Sequence, residues 1–312
     1  SQVHIYDRYD RIGGLLMYGI PGFKLEKSIV ERRGQLLIDG GVHFHLGVDI
    51  GGETSFADIR AKHDAILVAT GVYKARDIAA PGSGLDGIVP ALEYLTVSNR
   101  KSLGDDVAAF VSGALNAEGK DVVVIGGGDT AMDCVRTAIR QKAKSVSCLY
   151  RRDRANMPGS QREVQNAEEE GVVFKWLSAP QAFLGDDKVR AVQAQRIHLG
   201  QPDATGRQVP EVIDGSAHEL PADMVIKALG FDPEDLPTMF GQDGLEVTRW
   251  GTLKIDWRTM MTNLDGVFAA GDIVRGASLV VWGVRDGRDA AEAIDQWIMA
   301  AADAPRAAGA SR

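Results

Sequence analysis

The chain has few cysteines: Cys134 and Cys148 are the only two in 312 residues. They stand too far apart for a CxxC pair, and two sulfurs cannot supply a disulfide framework or an iron–sulfur ligand set. Because a disulfide reductase needs a redox dithiol, disulfide reduction within this polypeptide is excluded. The scarcity of cysteine also favours a reducing compartment, so we expect a cytoplasmic protein.

Long apolar runs and basic stripes are also missing. No uninterrupted hydrophobic stretch reaches the roughly 20 residues of a bilayer span, so no membrane helix is predicted. The 35 basic and 43 acidic residues give a net charge of -8 without a basic stripe, which argues against a nucleic-acid surface. His43 and His45 have no third ligand nearby, so no metal site is predicted.

The sequence does contain short apolar runs that end in small residues and glycine. Such runs are typical of buried parallel strands that stop at a binding site. The run 122–125 (VVVI) is followed by glycines, a helical pattern over 131–140 and another strand at 145–150, which together predict a βαβ unit. Three further runs are 65–71 (AILVATG), 224–230 (MVIKALG) and 267–272 (VFAAGD).

The glycine turn of the βαβ unit, GGGDTA at 126–131, matches the pattern GxGxxA. Its glycines permit a tight turn and a close approach of the backbone, and the following helix directs its N-terminus at a pyrophosphate. At the end of the next strand an NAD site would have an acidic residue, whereas this sequence has Arg151 and Arg152. Two guanidiniums suit the extra phosphate of NADP. A solvated basic turn is the alternative interpretation of these arginines.

The N-terminus resembles the second half of this unit. The apolar run 3–6 predicts a strand, and Asp7 stands at its end as Arg151 does after the strand at 145–150. A carboxylate there suits the ribose of a nucleotide without the extra phosphate, as in an FAD site. Gly13 and Gly14 would then let the backbone approach a flat cofactor; an ordinary surface Asp and a plain glycine turn are the alternatives. The glycine motif that belongs with Asp7 would lie roughly 20 residues before Ser1. We therefore expect the first βα of an FAD domain to be missing from this chain.

A second candidate flavin contact lies at Gly271 and Asp272, which close the run 267–272. A carboxylate there suits ribityl hydroxyls, and the helical pattern at 278–291 would direct its N-terminus at a reduced flavin. Helix capping is the alternative role for Asp272.

The predicted fold is α/β, with two Rossmann-like dinucleotide-binding domains and the NADPH domain inserted in the FAD domain. Residues 1–116 are assigned to the first part of the FAD domain and residues 117–230 to the NADPH domain. Residues 231–312 are assigned to the return segment of the FAD domain and a C-terminal tail.

Four strings make a more specific signal than any glycine motif alone: GGLLMYGIPGFKLEK, VVIGGGDTAMDCVRTAIR, LYRRDRANMPGSQREV and AAGDIVRGASLVVWGVRDGRDAA. They resemble the small (beta) subunit of bacterial NADPH-dependent glutamate synthase, over residues 3 to about 298. The resemblance implies a flavoprotein in a hetero-oligomer with a large (alpha) subunit. Electrons pass there from NADPH through FAD and iron–sulfur clusters, and L-glutamate is formed from L-glutamine and 2-oxoglutarate.

The resemblance also implies which residues contact each cofactor. The clusters would belong to an N-terminal segment that this chain lacks. No catalytic acid or base is assigned, because hydride transfer to a flavin mainly needs stacking and exclusion of water. The predicted FAD contacts are Asp7, Gly13, Gly14, Leu15, Thr70, Gly71, Gly271 and Asp272. The predicted NADPH contacts are Gly126, Gly128, Asp129, Thr130, Arg151 and Arg152.

Two other functions remain open from the sequence. One is a related electron-transfer module of the NADPH-ferredoxin or pyrimidine-dehydrogenase type, which differs in its electron acceptor. The other is a non-catalytic NADP-binding subunit without a flavin.

Overall fold

The computed structural model describes residues 2–202 and 208–303. The end of the predicted C-terminal tail, from residue 304, lies outside this range. The strands are β1 (Val3–Asp7), β2 (Val42–Leu46), β3 (Ile66–Val68), β4 (Lys74–Ala75), β5 (Ile88–Pro90), β6 (Asp121–Ile125), β7 (Ser145–Leu149), β8 (Val173–Lys175), β9 (Ser178–Gly185), β10 (Val189–Pro202), β11 (Gln208–Val212), β12 (His218–Pro221), β13 (Met224–Lys227), β14 (Phe231–Asp232) and β15 (Val267–Ala269). The helices are α1 (Leu15–Tyr18), α2 (Lys27–Asp39), α3 (Phe56–Lys62), α4 (Ala91–Ser102), α5 (Ala108–Val111), α6 (Asp129–Arg140), α7 (Gln161–Glu169), α8 (Leu236–Met239), α9 (Asp272–Arg275) and α10 (Val280–Asp303).

The described chain forms two compact units. Unit 1 consists mainly of 11–43 and 75–230, and unit 2 of 4–10, 44–74 and the chain after Gly230. Residues 11–43 and 75–116 therefore belong to the same compact unit as the glycine turn, although the sequence assigned them to the FAD domain. Which stretches form each cofactor domain stays a prediction.

A five-stranded parallel sheet lies at the centre of unit 1, in the order β5-β13-β6-β7-β8. Side chains alternate between the faces of a strand, and β6 divides its apolar residues accordingly. Val122 and Val124 pack with α4, α6 and α7 in one core cluster. Val123 and Ile125 pack with β9, β10 and β12 in another. Burial on both faces explains why this strand reads as a continuous apolar run.

The second sheet of unit 1 is antiparallel and covers the other face of the parallel sheet. Its strands follow the order β11-β10-β12, and β9 also pairs with β10. Phe183 of β9 and Val192 of β10 are buried against Val225 of the parallel sheet. The sequence did not predict this sheet, because its strands mix polar and apolar residues without ending at a glycine motif.

Strands of unit 2 associate in pairs. β15 lies parallel to β3 with Ala269 opposite Val68, and among the described residues β1 and β2 form a separate two-stranded sheet. Phe56 stacks on Phe240 with ring centroids 4.5 Å apart, and Trp297 of α10 meets Phe268 edge-on. None of the described helices is long and apolar enough to cross a membrane.

Candidate functional site

The predicted glycine turn lies between β6 and α6, at the carboxyl edge of the parallel sheet. Ile125 and Leu149, the last residues of β6 and β7, lie opposite each other in register. The backbone N–H of Gly126 donates to the carbonyl of Leu149 at 3.1 Å, so the turn begins where the two strands end. The motif and the two arginines that follow β7 therefore share one edge of one sheet.

The three glycines of the turn meet different surroundings. Gly126 has φ +146°, and a Cβ there would overlap the carbonyl oxygen of Ala228. A Cβ at Gly127 would overlap the ring of Tyr150, whereas a Cβ at Gly128 would have no atom within 4 Å. The first two glycines are thus required by packing, and the third faces open space. Open space at this position is what the close approach of a pyrophosphate needs.

The N-terminus of α6 is suited to an anion. Gly128 is its N-cap residue, and no side chain caps the first turn. The first amides of a helix lack partners inside the helix and carry part of the positive end of its dipole. Asp129 directs its carboxylate sideways, accepting a hydrogen bond from the backbone N–H of Ser160 at 3.0 Å. The backbone N–H groups of Asp129 and Thr130, at the start of α6, are therefore left for a phosphate.

A loop to which the sequence assigned no role closes against this turn. The backbone N–H of Gly159 donates to the carbonyl of Gly127 at 2.9 Å, and a Cβ at Gly159 would stand 3.0 Å from that oxygen. The hydroxyl of Tyr150 holds the same loop by donating to the carbonyl of Asn156 at 3.0 Å. The string MPGSQ at 157–161 was the available signal, since it puts Gly and Ser just before a helix.

Arg151 and Arg152 follow β7 after Tyr150, and among the described residues neither forms an ion pair. The nearby Asp153 instead accepts from the backbone N–H of Asn156 at 2.9 Å, while Arg154 pairs with Glu168. The Nε of Arg152 is buried without a hydrogen-bond partner in the described chain. Buried donors without partners are costly. Two uncompensated cations at this edge fit an anionic group such as a nucleotide phosphate.

The predicted FAD contacts divide between the two units. Asp7, Thr70, Gly71, Gly271 and Asp272 lie in unit 2, whereas Gly13, Gly14 and Leu15 lie in unit 1. Because β3 and β15 run parallel, their carboxyl ends bring Gly71, Gly271 and Asp272 together around a cavity of about 260 Å³. Thr70 is exposed beside it.

The other predicted FAD contacts occupy local turns. Asp7 accepts from the backbone N–H of Tyr9 at 2.9 Å. Gly13 and Gly14 both have positive φ, +119° and +50°, and Gly14 is the N-cap residue of α1, which starts at Leu15. Only glycine takes such a pair of conformations without strain.

The Gly271–Asp272 turn is supported by Asp286 of α10 and Arg275, which the sequence reasoning missed. Asp286 is buried and accepts two hydrogen bonds from the Arg275 guanidinium, at 2.6 and 2.7 Å. It also accepts from the backbone N–H of Gly271. Arg275 and that hydrogen bond hold the pKa of Asp286 below its usual range, whereas burial raises the pKa of Asp272. The signal was a charged residue inside the helical string VVWGVRDGRDAA, which could not be told from a surface Asp.

Cys134 of α6 and Cys148 of β7 are both free and buried. Burial raises the pKa of the Cys148 thiol to about 12 and that of Cys134 well above its usual value. Neither thiol is therefore a reactive thiolate.

Comparisons with known proteins identify the family. The family model described as pyridine nucleotide-disulphide oxidoreductase matches residues 33–304. The chain belongs to this family. It is 68% identical over 309 residues to the glutamate synthase [NADPH] small chain of Azospirillum brasilense, covering 99% of this chain and 64% of that protein. A putative glutamate synthase [NADPH] small chain of Cereibacter sphaeroides is 66% identical, over 94% of this chain and 70% of that protein. The family resemblance predicted from the sequence is confirmed.

Solved structures show the same fold at low sequence identity. FprA of Mycobacterium tuberculosis in complex with NADPH has a TM-score of 0.79 at 19% identity, covering 97% of this chain and 79% of that one. A thioredoxin reductase of Lactococcus lactis has a TM-score of 0.65 at 22% identity, covering 95% of this chain and 91% of that one. The predicted α/β fold of Rossmann type is thereby confirmed.

Proposed function

We propose that the chain is the NADPH:FAD oxidoreductase module of a glutamate synthase small subunit, in the cytoplasm. NADPH reduces FAD, and electrons then pass through iron–sulfur clusters to the large subunit, where L-glutamine and 2-oxoglutarate yield L-glutamate. The chain spans 64% of its Azospirillum relative, and in the proposal its own residues hold no cluster. The hetero-oligomer with the large subunit is part of the proposal.

The observation that carries the proposal is the arrangement at the carboxyl edge of the parallel sheet in unit 1. The uncapped N-terminus of α6 and the open side of Gly128 receive the pyrophosphate. Arg151 and Arg152, which lack ion pairs within the described chain, hold the 2′-phosphate. An NAD site would have a carboxylate where Arg151 stands, so the arrangement favours NADPH.

The proposal also assigns the residues that contact FAD. Gly271 and Asp272 contact the ribityl chain and pyrophosphate, supported by Thr70 and Gly71, while Asp7 accepts from the adenosine ribose. Gly13, Gly14 and Leu15 line the flavin. The flavin supplies hydride acceptance and one-electron release. The protein residues bind and orient the cofactors and exclude water, and no protein acid or base is required.

The domain boundaries predicted from the sequence belong to the same proposal. Residues 117–230 bind NADPH, and 1–116 with 231–312 bind FAD.

Anaerobic stopped-flow absorbance of the full-length, FAD-loaded protein tests the proposal. We expect NADPH to bleach the flavin much faster than NADH. The double variant Arg151→Ala, Arg152→Ala should lose roughly 2–3 kcal/mol of phosphate binding, a factor of about 30 to 150, and with it the preference. Arg154→Ala is the matched control, because this arginine of the same loop already pairs with Glu168.

Equal bleaching by both nucleotides, unchanged in the double variant, would refute the NADPH site. Electron transfer to the partner is tested by adding the large subunit to the reduced protein with glutamine and 2-oxoglutarate. Absence of glutamate formation would favour another acceptor. Relatives with other names exist, such as the NADP(+)-dependent formate dehydrogenase subunit beta of Moorella thermoacetica, at 34% identity.

A further inference from the structure

An ion pair joins the segment after α1 to the middle of α6. The ammonium of Lys24 lies 2.7 Å from Oδ1 of Asp133 and 3.4 Å from Oε2 of Glu163. Asp133 is 8% exposed, so its carboxylate meets this ammonium largely away from water. All three residues lie in unit 1, and 109 positions separate the two partners.

Phe23, the residue before Lys24, adds a second contact with α6. The guanidinium carbon of Arg140 lies 3.8 Å from the centroid of the Phe23 ring, and that of Arg136 lies 4.9 Å from it. Both arginines are themselves fixed by Glu170, at 2.6 and 2.7 Å. Asp133, Arg136 and Arg140 follow the spacing i, i+3, i+7, which is one face of a helix. The segment is therefore clamped to one face of α6 by charge and by stacking.

The clamped segment is continuous with the Gly13–Gly14 turn. Lys27, at the start of α2, donates to the carbonyl of Leu16 at 2.9 Å and to that of Ile20. It thereby ties α1 to the turn that follows. Displacement of Lys24 would therefore be transmitted to Gly13 and Gly14. At its other end, α6 starts at the glycine turn that receives the nucleotide in the proposed function.

The buried carboxylate of this ion pair is unfavourable for the stability of the fold. Burial raises the pKa of Asp133 to about 6, although Lys24 acts in the opposite direction. The charged carboxylate is therefore less favourable in the folded protein than in water. Buried ion pairs of this kind contribute little net stability, and their best-attested role is to select one geometry among several.

We propose that Lys24 and Asp133 are positioning residues, which hold the flavin-facing turn at Gly13 and Gly14 in register with the NADPH-binding helix α6. The inference rests on the proposed function, because register between these elements matters for hydride transfer between their cofactors. It predicts that breaking the pair slows transfer while both cofactors still bind. A misplacement of about 1 Å can slow a reaction by about 100-fold.

The test compares Lys24→Met, Asp133→Asn and Lys24→Arg with Lys144→Met in the full-length, FAD-loaded protein. Lys144 is the matched control, because its ammonium also lies 2.7 Å from a carboxylate, that of Asp121, but its side chain is 67% exposed. We expect the rate of flavin reduction by NADPH to fall by at least about tenfold in Lys24→Met and Asp133→Asn, with NADPH affinity within about twofold of wild type. Lys24→Arg keeps the ion pair and should recover most of the rate, and Lys144→Met should match wild type.

Hydrogen–deuterium exchange across residues 13–27 supplies a readout besides activity, and loss of the pair should accelerate it. The inference is overturned if Lys24→Met changes neither exchange nor the reduction rate. It is also overturned if the rate falls only in proportion to bound FAD or to thermal stability. Failure of the proposed function would look different, because NADPH would then not reduce the wild-type flavin, while the exchange comparison would still report on the pair.

Discussion

Alanine at Gly126 and alanine at Gly128 should have opposite consequences, although the glycines are two residues apart in one turn. At Gly126 the backbone has φ +146°, and a Cβ would overlap the Ala228 carbonyl oxygen. The strained conformation costs about 1–3 kcal/mol, and the overlap adds about 1–3 kcal/mol. Gly126→Ala should therefore lose roughly 2–6 kcal/mol of unfolding free energy, a large part of the stability of a domain.

Gly128→Ala should leave the fold nearly intact and weaken the nucleotide site. Its φ of −89° is open to any residue, and a Cβ there meets no atom within 4 Å. Replacing glycine by alanine at an N-cap should cost only about 0.5–1 kcal/mol. The added methyl group occupies the space through which the pyrophosphate approaches the turn. We expect NADPH affinity to fall by about 10- to 100-fold, which corresponds to about 1.4–2.7 kcal/mol.

Two measurements on the full-length protein separate these effects. Urea unfolding can be followed by tryptophan fluorescence, to which Trp176 of unit 1 contributes; its ring meets that of Tyr150 edge-on. NADPH affinity can be measured by titration calorimetry. A folded Gly128→Ala variant that binds NADPH like wild type would refute the assignment of the open side to the nucleotide. Wild-type stability in Gly126→Ala would refute the packing argument.

Two further predictions concern buried titratable groups. The folded-state pKa of Asp133, about 6, lies above the ordinary 3.8, so the contribution of this carboxyl group to stability falls as pH rises between these values. Asp133→Asn removes the titrating group while the side chain still faces Lys24, Glu163 and Asp129. Between about pH 4.5 and 7.5, its unfolding free energy should therefore rise by about 2 kcal/mol relative to that of wild type. Parallel unfolding curves at the two pH values test this, and a pH-independent difference would contradict it. Cys134 and Cys148 should resist iodoacetamide in the native protein and react after denaturation, as mass spectrometry would show; rapid native labelling would contradict their burial.

The parts of the fold that the sequence predicted are those encoded locally. The apolar run VVVI became β6 and the run VFAAGD became β15 with its following turn, because a strand buried on both faces must be apolar throughout. The glycine turn was also predictable, because its function depends on residues that are adjacent in the sequence. Arg151 and Arg152 were located by counting along one βαβ unit.

The parts that the sequence did not reveal depend on pairings between distant residues. Lys24 and Asp133 are 109 positions apart, and Asp133 sits among the apolar residues of α6, where a sequence pattern cannot indicate its partner. Asp286 looked like one of several charged residues in α10, although it is 1% exposed. The grouping of 11–43 with the glycine-turn unit also follows from such pairings, of which Lys24 with Asp133 is one.

Asp133 links the predictions for stability and for catalysis, because the same substitution should gain stability relative to wild type as pH rises and should slow flavin reduction. If Asp133→Asn gains stability relative to wild type as pH rises to neutral while flavin reduction slows, the carboxylate is retained despite its cost to folding. Such a trade-off is expected where activity depends on one arrangement of packed elements that stability alone does not select. If stability and rate instead fell together, Asp133 would be an ordinary structural residue of α6. The amide variant therefore decides whether the charge at this position serves the fold or the alignment of the two cofactor-binding turns.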